Sequence, residues 1–166
     1  MRSRTAMILI CLALIIVFLS VYNFPKKVDV SREALSMTDK KEEKVSVKVD
    51  GTLYRPIFKE WSFSGKISIE SYPYTKNHDM MVLKITQRNK GINGSTLAYL
   101  SSESNPDLGA DIKFNNDFSV FNILTTTELR DGKVNREADI VSITYPAKNY
   151  EEAVQTQKSI EIKLNQ

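Results

Sequence analysis

From Val45 onward, apolar side chains recur at every second residue. Val45, Val47 and Val49 alternate with Ser46 and Lys48; Phe63, Gly65, Ile67 and Ile69 with Ser64, Lys66, Ser68 and Glu70; Met81, Leu83 and Ile85 with Val82, Lys84 and Thr86. A period of two sends successive side chains to opposite faces, so these segments predict half-buried strands. Thr96 to Ser101, Ala110 to Phe114, Phe118 to Thr126, Asp139 to Tyr145 and Ser159 to Leu164 are further strand candidates, the last with Ile160, Ile162 and Leu164 alternating with Glu161 and Lys163. Asp50-Gly51, Asn93-Gly94, Asp131-Gly132 and Asn115-Asn116-Asp117 stand between such runs and tolerate the positive φ angles of tight hairpins. Near the end, Asn149 and Glu152 have capping-box spacing, and Tyr150, Ala153, Val154 and Gln157 share one helical face. The pattern predicts a mainly β domain over residues 45–166: an antiparallel β-sandwich or barrel of about eight or nine strands with one short C-terminal helix.

The periodicity differs before Val45. From Thr5 to Phe24 the chain has an uncharged run of 20 residues, which as a helix would extend roughly 30 Å, the thickness of a bilayer's hydrocarbon layer. Arg2 and Arg4 precede it, Tyr22 and Phe24 fall where interfacial aromatics lie, and Pro25 stops the helix before Lys26 and Lys27. The residues after the apolar run, Phe18 to Tyr22, have no small-x-small pair for signal cleavage, and Ile10 stands where a small residue precedes a lipidated cysteine at Cys11. Residues 1–27 are therefore expected to form an uncleaved transmembrane signal anchor with a single span. A short basic start followed by an apolar run is how exported chains begin, so the C-terminal domain is expected outside the cytoplasm, at the cell membrane.

The segment 28–44 has few large apolar residues and charges alternating in sign, so it reads as a flexible charged tether, with Ser31 able to cap a short helix. All 20 acidic residues but only 19 of the 23 Lys and Arg follow Lys27, which leaves the part from Val28 onward with a net charge of −1. A nucleic-acid binder concentrates cations on its folded part, so that class is disfavoured. Cys11 is the one cysteine, which removes disulfides and thiolate metal sites from the β domain.

Catalytic motifs are sparse. His78 is the one histidine, and its neighbour Asp79 does not orient it merely by adjacency. No spacing of Asp and Glu resembles a calcium loop, and the glycine-containing Asn89 to Gly94 stretch lacks the lysine and following helix of a phosphate loop. No catalytic residue, metal ligand or cofactor is assigned. One surface feature stands out: with Ile67 and Ile69 facing the core, Tyr72 would share the opposite face, and Pro73 would end the strand before Tyr74, Lys76 and His78. Two solvent-facing tyrosines suit recognition of a protein or glycan, so Tyr72, Tyr74, Lys76 and His78 form the expected ligand-binding group. The expected function is a membrane-anchored binding or accessory module for a cell-envelope protein or glycan, with no chemistry of its own. The alternative is an envelope enzyme acting on a polymer or lipid through His78 or a carboxylate pair.

Overall fold

The computed structural model describes residues 2–39, 41–100, 109–126 and 139–166, with side chains from Ala6 onward. The chain begins with helix α1 (Arg2–Val21), followed by strands β1 (Lys26–Thr38), β2 (Lys41–Tyr54) and β3 (Ser62–Ile69) and the short helix α2 (Pro73–Asn77). Next come β4 (Asp79–Met80), β5 (Leu83–Lys84), β6 (Gln87–Asn89), β7 (Ile92–Leu97) and β8 (Tyr99–Leu100). β9 (Ala110–Asn115), β10 (Phe121–Thr126), β11 (Ile140–Tyr145) and helix α3 (Tyr150–Asn165) complete it.

Nine strands form one antiparallel sheet in the order β5-β3-β2-β1-β11-β10-β9-β7-β6, and β4 and β8 form a separate pair. The sheet curls into a half-barrel with one C-terminal helix, in place of two stacked sheets. Its two ends approach each other, since Ser95 Oγ donates to the Lys84 carbonyl at 2.7 Å and the Thr86 N–H to the Gly94 carbonyl at 3.0 Å. The inner face is the main core: Val45, Val47, Val49, Leu53, Phe63, Ile67 and Ile69 from the N-terminal strands meet Ile112, Phe114, Phe121, Ile123, Val141 and Ile143 from the C-terminal ones. The alternation at Val45 and Phe63 thus faces where its period requires. Of the third run, Leu83 and Ile85 are buried while Met81 is exposed.

β1 and β2 overturn the expected tether. Residues 28–38 and 41–44 lie in these strands, paired from Lys26↔Leu53 to Thr38↔Lys41, and Ser31 is a strand residue opposite Lys48. Alternation is present but weakly apolar: Val28 and Ala34 are buried and Val30 packs on the core, while Asp29, Ser31 and Glu33 point outward. What such a sequence lacks in hydrophobicity is supplied by neighbours on both sides, β2 along its length and β11 at Leu35↔Thr144, Ser36↔Ile143 and Met37↔Ser142. β1 therefore joins the N-terminal and C-terminal halves of the sheet.

Two expected turns are strand interior. Asp50 and Gly51 lie within β2, and Gly51 pairs with Gly65 of β3. A Cβ on Gly51 would stand 2.5 Å from the Ser64 carbonyl oxygen and 2.6 Å from Phe63 Cζ, and one on Gly65 would stand 2.2 Å from the Asp50 oxygen. Close approach of two backbones, with the Phe63 ring against them, accounts for these glycines. Asn93 and Gly94 belong to β7, and the β6–β7 hairpin turns three residues earlier at Lys90 and Gly91, whose φ values are +44° and +79°. The Asn115–Asp117 turn does connect β9 to β10. Asp131-Gly132 and Ser101 lie outside the described residues.

The expected last strand, Ser159 to Leu164, is helical. Asn149 accepts the Glu152 N–H at 3.0 Å, the Glu152 carboxylate accepts the Lys148 N–H at 3.0 Å, and α3 runs on to Asn165. Ala153, Gln157, Ile160 and Leu164 are spaced by 4, 3 and 4 residues, a helical stripe, and Ala153 and Ile160 are buried. Ile162, which the strand reading turned inward, is exposed. Three alternating residues also satisfy helical spacing at their ends, and the cap together with the longer stripe decides the outcome.

The helix expected from the 20-residue uncharged run ends before that run does. No helix among the described residues is long and apolar enough to cross a membrane. α1 stops at Val21, so Tyr22 to Phe24 do not extend it, and the 17 uncharged residues from Thr5 to Val21 reach only about 25 Å. Its side chains are nevertheless apolar on every side: Met7, Ile8, Leu9 and Ile10, which together go around a full turn, are each more than 60% exposed.

Candidate functional site

Of the four residues expected to bind a ligand, the structure brings all to the corner between β3 and β4 but does not display the tyrosines as a flat patch. Parity holds only while a strand continues, and β3 ends at Ile69. The Tyr72 N–H donates to the Ile69 carbonyl at 3.0 Å, which reverses the chain and swings Tyr72 inward to 8% exposure. The expectation of a solvent-facing Tyr72 is corrected accordingly. Pro73 opens α2, and the buried Thr75 hydroxyl donates to the Tyr72 carbonyl at 2.7 Å while accepting the Ile69 N–H at 2.8 Å. Tyr74 packs on the core, stacked on His78 at 3.9 Å and edge-on to Tyr99 at 6.1 Å. His78 Nδ1 lies 3.2 Å from the Tyr74 carbonyl oxygen, and Lys66 Nζ donates to the Lys76 carbonyl at 2.6 Å. Lys76 is exposed and His78 half-buried. The corner is a braced turn whose reachable chemistry is one ammonium and one imidazole edge.

Tyr72 also walls a small cleft of about 240 Å³ with Ser36, Thr38, Lys41, Glu43 and Ser71. Lys41 and Glu43 form an ion pair at its mouth, and Ser71 Oγ is buried with no hydrogen-bond partner. Among the described residues no group of three or more His, Cys, Asp or Glu is placed to hold a metal ion.

A larger concavity, about 860 Å³, lies on the outer face between α3 and the β1–β2 hairpin. Met37, Leu124, Ile140, Tyr150 and Val154 give it apolar walls, and Asp39, Lys41 and Glu42 form a charged rim. Ile140 is 69% and Tyr150 57% exposed, and both line this concavity. The wall formed by α3 is fixed. Gln157 Nε2 donates to Ser142 Oγ at 2.8 Å and Thr144 Oγ1 at 2.9 Å, and Asn122 Nδ2 donates to the same two oxygens at 2.8 and 2.9 Å. Lys113 of β9 pairs with Glu161 of α3 further along. Sequence inspection missed this groove because its walls come from β1, read as tether, and from a helix read as too short.

The end of the half-barrel nearest α1 carries its own electrostatics. In the β9–β10 loop, Phe118 adopts φ of +53°, a conformation costly for a bulky side chain, while its buried ring stacks on Phe114 at 4.3 Å and meets Phe63 at 5.3 Å. Beside it, burial tends to raise the Asp117 carboxyl, but the Ser119 hydroxyl and N–H and the Lys26 ammonium outweigh burial and hold it below the ordinary carboxylate value. Arg88 lays its guanidinium over the Trp61 ring at 4.0 Å.

Against known protein families, curated proteins and solved structures, the chain finds no match.

Proposed function

We propose that the protein is a membrane-anchored β-module, with α1 seated in a bilayer and the half-barrel outside the cytoplasm, acting by binding a cell-envelope protein and performing no chemistry of its own. The observation that carries this is the contrast between two sets of apolar residues: the half-barrel completes its own core, while α1 exposes apolar side chains on every face. A helix apolar all round is stable only where its surroundings are apolar too. Its 17 uncharged residues lie at the short end of what a bilayer accepts, a mismatch that local thinning of the lipid accommodates. The groove at Ile140 and Tyr150 supports the binding part, since an apolar trough with a charged rim suits an amphipathic protein segment better than a sugar chain.

Labelling on intact cells tests the topology. Lys48 is exposed on the outer face of β2, so Lys48→Cys in a Cys11→Ala background is expected to react with a membrane-impermeant maleimide. Reaction only after lysis overturns the orientation, and extraction by alkaline carbonate overturns the anchor. For the groove, Ile140→Ser with Tyr150→Ser is expected to leave folding intact and abolish co-purification of the crosslinked envelope partner; unchanged capture removes the groove from the interface.

A further inference from the structure

The connection between α1 and the half-barrel is short. Residues 22–25 alone separate Val21 from Lys26, and fully extended they bridge about 18 Å at most. The loop of residues 55–61, which joins β2 to β3, meets that connection: the Arg55 N–H donates to the Asn23 carbonyl at 2.7 Å and Arg55 Nε approaches the Phe24 carbonyl oxygen at 3.5 Å. Pro56 is buried, yet the next two residues turn their side chains out, with Ile57 53% and Phe58 66% exposed. Neither is used by the core. Arg55 and Lys59 flank the pair in the chain, with Glu60 following, and Lys26 and Lys27 open β1 opposite Leu53 and Thr52 at the start of the same loop; Tyr22 packs edge-on against Phe24 at 4.9 Å where the helix gives way to the strand.

We propose that this loop is a second membrane contact, in which Ile57 and Phe58 enter the interfacial layer of the lipid surface that holds α1, with the neighbouring cations toward lipid phosphates. The inference rests on the seating of α1 in a bilayer. Position argues for lipid as the occupant: the loop is hydrogen-bonded to the exit of an all-apolar helix, so any surface that receives the helix lies against the loop as well. The chemistry agrees, because an exposed aliphatic–aromatic pair edged by basic side chains is the composition of interfacial anchors. Two separated contacts on one rigid sheet would also set the tilt of the half-barrel, which a single helix with a free swivel would leave open.

Full-length chain carrying Cys11→Ala and Phe58→Cys, labelled with an environment-sensitive dye, is reconstituted into phosphatidylcholine–phosphatidylglycerol vesicles containing spin-labelled lipid. Lys48→Cys on the outer face of β2 is the control. The dye at position 58 is expected to shift to the blue and to be quenched several-fold more strongly than the dye at position 48. Protein that floats with the vesicles but shows equal quenching at the two positions overturns the loop contact alone. Protein that does not float overturns the seating of α1 and the loop contact with it. Because a cysteine removes part of the loop's apolar surface, Phe58→Trp with Trp61→Phe gives the same comparison from tryptophan emission, and unquenched emission from that variant on floating vesicles overturns the inference equally.

Discussion

The hydroxyl of Tyr99 donates to the carbonyl of Ile67, 32 residues earlier in the chain. β5 pairs only with Ser62 and Phe63 of β3, so Ile67 lies beyond the reach of that edge strand, and a side chain takes the place of a strand neighbour. Tyr99 is fully buried, and burial drives its phenol well above the ordinary tyrosine value. With the folded-state pKa above the unfolded one, the stabilising effect is fully present below about pH 10 and is lost as pH rises toward the folded value, at about 1.4 kcal/mol per pH unit. Tyr99→Phe is expected to cost about 1 to 3 kcal/mol at neutral pH by leaving the Ile67 carbonyl unpaired, and to lose that part of the alkaline slope. Urea midpoints of both proteins between neutral and strongly alkaline pH check it; parallel curves would show that Tyr99 does not titrate in the unfolded chain alone.

Truncation separates strand from tether. Removing residues 1–24 takes away α1 and leaves β1 whole, so the product is expected to show a β-rich circular dichroism spectrum and a cooperative thermal transition. Removing residues 1–44 takes away the strand that joins the two halves of the sheet, and that product is expected to be unfolded. A cooperative transition in the shorter chain would mean that β1 is dispensable.

Gly51 and Gly65 are expected to tolerate no side chain. Gly65→Ala would place a methyl 2.2 Å from the Asp50 carbonyl oxygen, which backbone must move to relieve. A loss of about 3 kcal/mol or more is expected from each alanine variant, at the upper end for overpacking. Chemical denaturation measures it, and a loss below about 1 kcal/mol would mean the strands part easily here.

Asn122 and Gln157 share two acceptors, Ser142 Oγ and Thr144 Oγ1, so their effects should not add. Each alanine variant is expected to cost about 1 to 2 kcal/mol, with a coupling of about 0.5 kcal/mol or more in the double-mutant cycle. Purely additive losses would show that α3 is held by Ala153 and Ile160 alone.

Sequence alone determined the β character of the chain, the inward residues of β2 and β3, the β9–β10 turn, the cap at Asn149 and the apolar character of the first helix. Each follows from neighbours in the chain: a period of two, a turn dipeptide, a cap, an uncharged run. Tertiary structure decided the rest. β1 is too polar to be recognised by itself and becomes a strand because β2 and β11 bond to both its edges. Gly51 marks a backbone crossing instead of a turn because Gly65 lies opposite it, a fact of register. Tyr72 points inward because a turn at Ile69 ends the parity on which its expected exposure depended. The groove exists because α3 docks across strands distant in sequence, and a hydrogen-bond square of four side chains from β10, β11 and α3 holds it there. Local patterning specifies which face of a segment is apolar, whereas the partner that face meets is set by long-range pairing, which the spacing of residues does not encode.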